Sequence, residues 1–260
     1  MSALKTIAII YLLVSSAYSA QISKCANGLA TYYTTNAYGA CQLGDIARKI
    51  DTAAAAPDLF NGSKACGVCY EVIGEKGSRV VMIADLCPGC EQKSAKGRIH
   101  LDLDERYFSK IDDKSKGRVQ TSMRMVPCNV SGNLKFVIVE SNDWYFNAYA
   151  TNSKIGIKAL KVKYDNGSYV EIKRTANNRF SGSISTRFKK ISVKVIGFSG
   201  EEIVCYKDKA HLVAGTYDCG KQFKTDKFFD IFSGKVVSKE TKSSCCKKPS
   251  KISNLNSCRV

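Results

Sequence analysis

Residues 80–106 read VVMIADLCPGCEQKSAKGRIHLDLDER, and the fold is decided by how they are read. Val80 to Ala84 is a continuous apolar run ended by Asp85, the pattern of a buried strand. Cys87-Pro88-Gly89-Cys90 closes a turn behind it, because proline and glycine both interrupt regular structure. A basic loop leads to a second short strand that carries His100 and Asp102. Two carboxylates thus stand at the ends of strands, a placement that suits a groove. Leu103, Tyr107, Phe108 and Ile111 then share one helical face, with Asp104 as the expected N-cap. With Asp104 in the capping position, Asp102 is released from that structural role.

Upstream, Leu29 to Tyr33 reads as a strand, and Gly39-Ala40-Cys41 as a close-packed turn. Thr52 to Ala56 is small and apolar, which fits a crowded interior. Cys69 to Ile73 alternates as a strand, and Glu75-Lys76-Gly77 turns the chain into Val80. Downstream, Val119 to Val126 is a further strand. The character changes at the polar turn Val130-Ser131-Gly132-Asn133. Beyond it, alternating strands run at Leu134–Val139, Tyr145–Ala150, Ala159–Tyr164, Tyr169–Lys173, Phe180–Ile184, Ile191–Ile196 and Ile203–Tyr206. Asn166-Gly167 is a hairpin turn signal. Strands of this kind without a helical period predict a β-sandwich.

The chain of 260 residues has room for one or two domains. Lys5, an apolar run from Ile7 to Val14 and the small residues around Ala17 and Ser19 predict a secretory leader over 1–19. That run is too short to span a membrane, and no later stretch is long enough, so no membrane insertion is expected. All twelve cysteines follow the leader, which argues for disulfides in an oxidising compartment. Sequons at Asn61, Asn129 and Asn166 agree with export. The formal charge is +17, of which Lys5 in the leader supplies one. Outside the cell such charge points to wall polymers, acidic glycans or membrane headgroups rather than nucleic acid. The basic residues are spread rather than blocked, which equally describes an ordinary solvated surface.

The motifs ATYY (30–33), GACQ (39–42), ACGVCYEV (65–72), ADLCPGC (84–90), HLDL (100–103) and RMVPC (124–128) occur in an order and spacing that resemble expansins, the non-plant kind most closely. The stretch from Asn129 to Asn152 resembles the start of the expansin second domain. The likeness covers roughly Leu29 to Tyr206. It implies an all-β chain: a six-stranded double-psi β-barrel over 20–131, then an immunoglobulin-like, carbohydrate-binding β-sandwich over 132–223. A basic cysteine-rich tail, 224–260, lies outside it. The resemblance implies a secreted monomer of the wall or extracellular matrix that binds cellulose or related wall glucan. It loosens that glucan without hydrolysis, so microfibrils slide during wall extension, and it uses no cofactor and no metal.

Residue by residue, the resemblance places Thr31, Asp85 and Asp102 in the groove, with His100 in the same motif as Asp102 and Tyr33 beside Thr31. Cys87 stands where bacterial members carry a groove tyrosine, leaving Tyr32 or Tyr33 to supply that contact. Trp144 and Tyr145 fall on the aromatic platform of the second domain. The third platform aromatic, near Asn177, is missing, and Tyr169 and Phe180 are the candidate substitutes. The implied disulfides are Cys41–Cys66 and Cys69–Cys128. Cys87 and Cys90 either close on each other or send one partner to Cys25. The first domain holds seven cysteines and the remainder five, so intrachain pairing throughout requires a bridge between them.

Three readings compete with these. Asp102 with Asp85 as substitute base would make a glycoside hydrolase or lytic transglycosylase on the same barrel. The first strand and its sequel, Ala30 to Thr35, carry no carboxylate where the related inverting hydrolases hold their base. A binding or matrix protein without loosening activity is the second alternative. The third is zinc, because Cys66-x-x-Cys69 and Cys87-x-x-Cys90 have zinc-ribbon spacing. Export and the implied disulfides oppose it. Trp144, the only tryptophan, follows the polar Ser141-Asn142-Asp143, and it alternates with Tyr145, so both reach one face only through a bulge.

Overall fold

The computed structural model describes residues 25–34, 39–183, 189–209, 213–225, 227–230 and 235–238. The expected leader, His211 and the cysteines 245, 246 and 258 lie outside them. Six strands close a barrel: β1 (Ala26–Tyr33), β2 (Thr52–Ala55), β3 (Cys69–Ile73), β4 (Ser78–Leu86), β5 (Ile99–Asp104) and β6 (Val119–Val126). Their order is β1-β5-β2-β4-β3-β6, with β1 parallel to β5 and β2 parallel to β4. This is the expected double-psi barrel. β2 is buried along its whole length. Its three alanines, Ala53 to Ala55, let β4 and β5 approach it from both sides.

The sandwich consists of two four-stranded antiparallel sheets. One is β10 (Val170–Ile172), β9 (Ile157–Tyr164), β12 (Ile191–Gly197) and β13 (Glu202–Lys209). The other is β11 (Phe180–Ser183), β8 (Tyr145–Thr151), β7 (Lys135–Ser141) and β14 (Gly215–Asp218). Phe136, Ile138, Phe146, Ala148, Leu160, Val162, Val193 and Val195 alternate inward and fill the space between them. A hairpin, β15 (Lys227–Asp230) with β16 (Lys235–Ser238), lies within the expected tail. Among the described residues no helix is long and apolar enough to cross a membrane.

The helix expected after Asp102 is one turn, Glu105–Phe108. Leu103 is buried in β5 and Ile111 in the following turn, so apolar burial mimicked a helical period without a helix. Asp104 does cap that turn, accepting from the Arg106 amide.

Barrel and sandwich are bonded together at several points. Ser63 Oγ donates to the Thr175 carbonyl at 2.7 Å, and the Cys128 amide to the Lys154 carbonyl at 2.9 Å. Gly156 packs where any Cβ would meet the Phe198 ring at 2.4 Å and Val68 Cγ2 at 2.7 Å. Arg174 is the centre of this junction. Its guanidinium donates to the Ser63 carbonyl, the Ile157 carbonyl and Asn178 Oδ1, and lies 4.4 Å over the Phe180 ring. Burial pulls its pKa down to about 10. Three acceptors converge on it, so truncation strands several of them in the interior. Arg174→Ala should therefore lower unfolding stability by roughly 2–4 kcal/mol in chemical denaturation. A change below about 0.5 kcal/mol would contradict this role.

Candidate functional site

Strand pairing assembles the groove. Parallel β1 and β5 set Thr31 beside Asp102, and β2 sets Ala54 beside both Asp102 and Asp85. The β2–β4 pairing shifts register between Ala53 and Ala54, but Thr31 and Tyr33, two residues apart on one face of β1, reach Asp102 and Asp85 respectively, so the two carboxylates share one face with the small Ala54 between their strands. Two strand spacings, roughly 9–10 Å, separate their backbones.

The two aspartates have different surroundings. Asp85 Oδ1 accepts from the Ala40 amide at 2.6 Å and the Leu86 amide at 2.8 Å, and Oδ2 faces the Tyr33 hydroxyl at 3.4 Å. It holds the 39–44 loop against the end of β4. Asp102 is half-buried and accepts from the Thr31 hydroxyl. Its second oxygen accepts from no protein group among the described residues. Burial raises its pKa above the ordinary carboxylate value, against the opposing hydrogen bond from Thr31.

His100 sets the direction of these bonds. The Glu91 amide donates to Nδ1 at 2.9 Å. Nδ1 is thus an acceptor, so the neutral ring carries its proton on Nε2. Nε2–H donates to Thr31 Oγ1 at 3.0 Å, which leaves the threonine proton for Asp102. Burial lowers the His100 pKa, with the Glu91 carboxylate opposing. Glu91 is itself held by Arg98 and Arg118, which draw its pKa down to about 2.

Tyr33 sits on the groove side of β1, whereas Tyr32 packs on Phe108 with ring centroids 4.8 Å apart. Of the two candidates for the missing groove tyrosine, only Tyr33 faces the site. On the sandwich, Trp144 is 69% exposed and Tyr145 half-buried. Both amides bond to Asn142 Oδ1 at 2.9 Å, which shapes the turn between β7 and β8. A register shift does occur in this hairpin, but in β7 between Ile138 and Glu140.

The substitutes for the third platform aromatic fail. Phe180 is buried in the core, and Tyr169 flanks the opposite sheet, its hydroxyl 2.8 Å from Ser192 Oγ. Tyr149 follows Tyr145 on the same face of β8, because Phe146, Ala148 and Ala150 all point inward, but it is itself buried and so supplies no exposed platform ring. The Arg179 guanidinium covers its ring at 4.1 Å and donates to the Gln42 carbonyl. Asn178 and Thr151 donate to the Cys41 and Leu43 carbonyls. The loop anchored by Asp85 is therefore also held by the sandwich beside Tyr149. Its two-residue spacing from Asn147 and four-residue spacing from Tyr145 were the available signal.

Disulfides join Cys41 to Cys66, Cys69 to Cys128, Cys87 to Cys90 and Cys205 to Cys219. Cys25 is also disulfide-bonded. The four cysteines with zinc-ribbon spacing are thus divided among three bridges. Asn61, Asn129 and Asn166 are all exposed.

The family model for the expansin N-terminal domain matches residues 1–123. Expansin-like protein 2 of Dictyostelium discoideum is 29% identical over 199 residues, covering 72% of this chain and 48% of that protein. The chain is similar to expansins. Expansin-like protein 9 of the same organism is 29% identical over 228 residues, covering 81% of this chain and 42% of that protein. The chain thus spans less than half the length of these two relatives. The crystal structure of apo Clavibacter michiganensis expansin superposes with a TM-score of 0.67 at 22% identity. It covers 77% of this chain and 98% of that one, a match of fold across both domains. A mutant of that protein solved in complex with cellohexaose matches with a TM-score of 0.66, also at 22% identity.

The groove has a testable acid–base signature. His100 is held neutral, so its folded pKa lies below the unfolded 6.5. That contribution to stability is present above pH 6.5 and is lost as pH falls through the folded value. The 15N shifts of the imidazole should report the Nε2–H tautomer at neutral pH and a midpoint below 6.5. An Nδ1–H tautomer, or a midpoint above 6.5, would contradict the bonding direction. Asp102 has the opposite sign: its raised pKa makes ionisation destabilising as pH rises past 3.8. Asp102→Asn should therefore melt higher than the parent at neutral pH.

Proposed function

We propose that the protein is secreted, acts as a monomer in the wall or extracellular matrix, and binds cellulose or a related glucan along the groove and platform. It loosens that polymer without cutting it. The supporting observation is the contrast between the two groove carboxylates. Hydrolysis with inversion needs a protonated acid and a second carboxylate that activates water, ~6.5–9.5 Å away. Asp102, half-buried and with one oxygen that accepts from no group among the described residues, has the character of the acid. Asp85 lies at a compatible backbone spacing, but both its oxygens already face protein donors. A carboxylate so engaged is a poor base. β1 supplies no substitute, since Ala30 to Thr34 contains no acidic residue.

Loosening needs no covalent step. A net hydrogen bond contributes only about 0.5–1.5 kcal/mol, so a groove that offers Thr31, Tyr33, Asp102 and backbone groups can exchange its bonds for glucan–glucan bonds one at a time. Thermal motion and wall tension then displace the freed chain. The exposed Trp144, with Tyr145, provides flat apolar surface for the C–H faces of pyranose rings. The cellohexaose complex of the Clavibacter expansin, whose fold this chain shares, supports a linear glucan as the ligand class. On the other sheet, Lys163 and Lys194 stand 5.4 and 4.0 Å from the Tyr169 ring, beside a shallow cavity of about 440 Å3, a surface suited to acidic glycans.

Cellulosic wall strips clamped under constant load should extend faster with the protein, and Asp102→Asn should abolish most of that creep while still binding the strips. Equal creep with the mutant would overturn the assignment. Trp144→Ala should weaken binding to cellulose roughly tenfold, by loss of one exposed aromatic anchor. Unchanged retention on cellulose would remove Trp144 from the binding face.

A further inference from the structure

The Cys87–Cys90 bridge differs from the other disulfides in the described residues. It spans a sequence separation of 3, against 25 for Cys41–Cys66, 59 for Cys69–Cys128 and 14 for Cys205–Cys219. A bridge this short removes little conformational freedom from the unfolded chain, so it adds least as a strut. Cys41, Cys66, Cys69 and Cys128 are all sealed in the core. Cys87 is half-buried at the surface, Pro88 and Gly89 are exposed, and a Cβ on Gly89 would meet only open space. Cys90 is itself buried, so Cys87 is the half of the bridge nearer solvent.

The bridge also abuts the groove. The two sulfurs and a carboxylate oxygen of Asp102 all lie within 4.8 Å of one another. The Cys87 amide is bonded to the Ala55 carbonyl at 2.8 Å, which fixes the turn to the end of β2. Asp102 keeps one oxygen without a protein partner among the described residues. Once the sulfurs are free, two soft donors and one hard donor converge on one point.

We propose that Cys87–Cys90 is a redox-reversible bridge, and that in its dithiol state Cys87, Cys90 and Asp102 form a site for a zinc-class divalent cation. The reductant is a small dithiol. Its thiolate attacks Cys87 Sγ, the Cys87–Cys90 bond breaks, and Cys90 leaves as a thiolate that takes up a proton. The second reductant sulfur then attacks the mixed disulfide and releases Cys87. Two electrons and two protons pass to the protein, and the reductant becomes a cyclic disulfide. Binding one cation releases both thiol protons again. Cys-x-x-Cys is an established zinc-ligand spacing, and two thiolates on zinc stand ~3.8 Å apart, a separation that a four-residue turn can open to. Three protein ligands leave a fourth position to water.

Cation binding would occupy Asp102 and so shut the groove whenever the bridge is open. That consequence rests on the glucan reading above; the ligation does not. The test is made on the full chain without denaturant. Graded dithiothreitol is added, free thiols are alkylated, and the sites are mapped by mass. Cys87 and Cys90 should label together while Cys41, Cys66, Cys69, Cys128, Cys205 and Cys219 remain paired. Opening of those core bridges first, or at the same reductant concentration, would overturn the proposal.

Reduced protein, freed of dithiothreitol under inert gas, is then titrated with zinc sulfate against a chromophoric chelator. One zinc per chain is expected. Affinity should fall at least tenfold in Asp102→Asn, and uptake should vanish in the oxidised protein and in the double variant Cys87→Ser with Cys90→Ser. Zinc uptake by reduced protein no greater than by the double variant contradicts the site. An unchanged affinity in Asp102→Asn contradicts its third ligand. Far-ultraviolet circular dichroism of each variant separates lost ligation from lost folding.

Discussion

A single alanine separates the two acidic groups on which the groove depends. Ala54 pairs with Asp85 on one side and Asp102 on the other, in a strand that has no side chain larger than threonine. A larger residue would crowd the space between the carboxylates. β2 can be this small because β4 and β5 bury it on both flanks, and the barrel closes around it. The spacing of the backbones that carry the acidic groups is therefore set by strand pairing.

The surroundings of each aspartate then decide its role. Backbone amides on either side of Asp85 turn it into a fastener for the 39–44 loop. Asp102 is met by one hydroxyl, whose direction is imposed by a histidine that is itself oriented by a backbone amide. The same loop that Asp85 fastens is gripped from the other side by Thr151, Asn178 and Arg179 of the sandwich. Groove and aromatic face are thus joined by bonded structure. Arg174 and Gly156 hold the junction behind them.

Much of this was legible in the order of residues. The apolar run ending at Asp85, the small Thr52–Ala55 segment and the alternating strands after Asn133 carry the architecture, because strand burial writes directly into sequence period. The motifs ADLCPGC and HLDL mark the groove in the same way. What was not legible depends on long-range pairing. Tyr169 and Phe180 both looked available, yet the sheet each strand joins, and the face it presents, decide otherwise. Tyr149 gains its place from Arg179, thirty residues further on, and no local pattern announces that contact. Leu103 to Ile111 imitated a helix because a strand end, one helical turn and a loop each bury an apolar residue at helical intervals.

The central claim is that the groove holds a glucan with one acid and no base. Cellohexaose incubated with the protein in 18O-labelled water tests it most directly, by mass analysis of every oligosaccharide present. The account predicts measurable cellohexaose binding, no shortened products and no incorporated label above the protein-free control. Labelled cellotriose or other fragments, lost on Asp102→Asn or Asp85→Asn substitution, would contradict it.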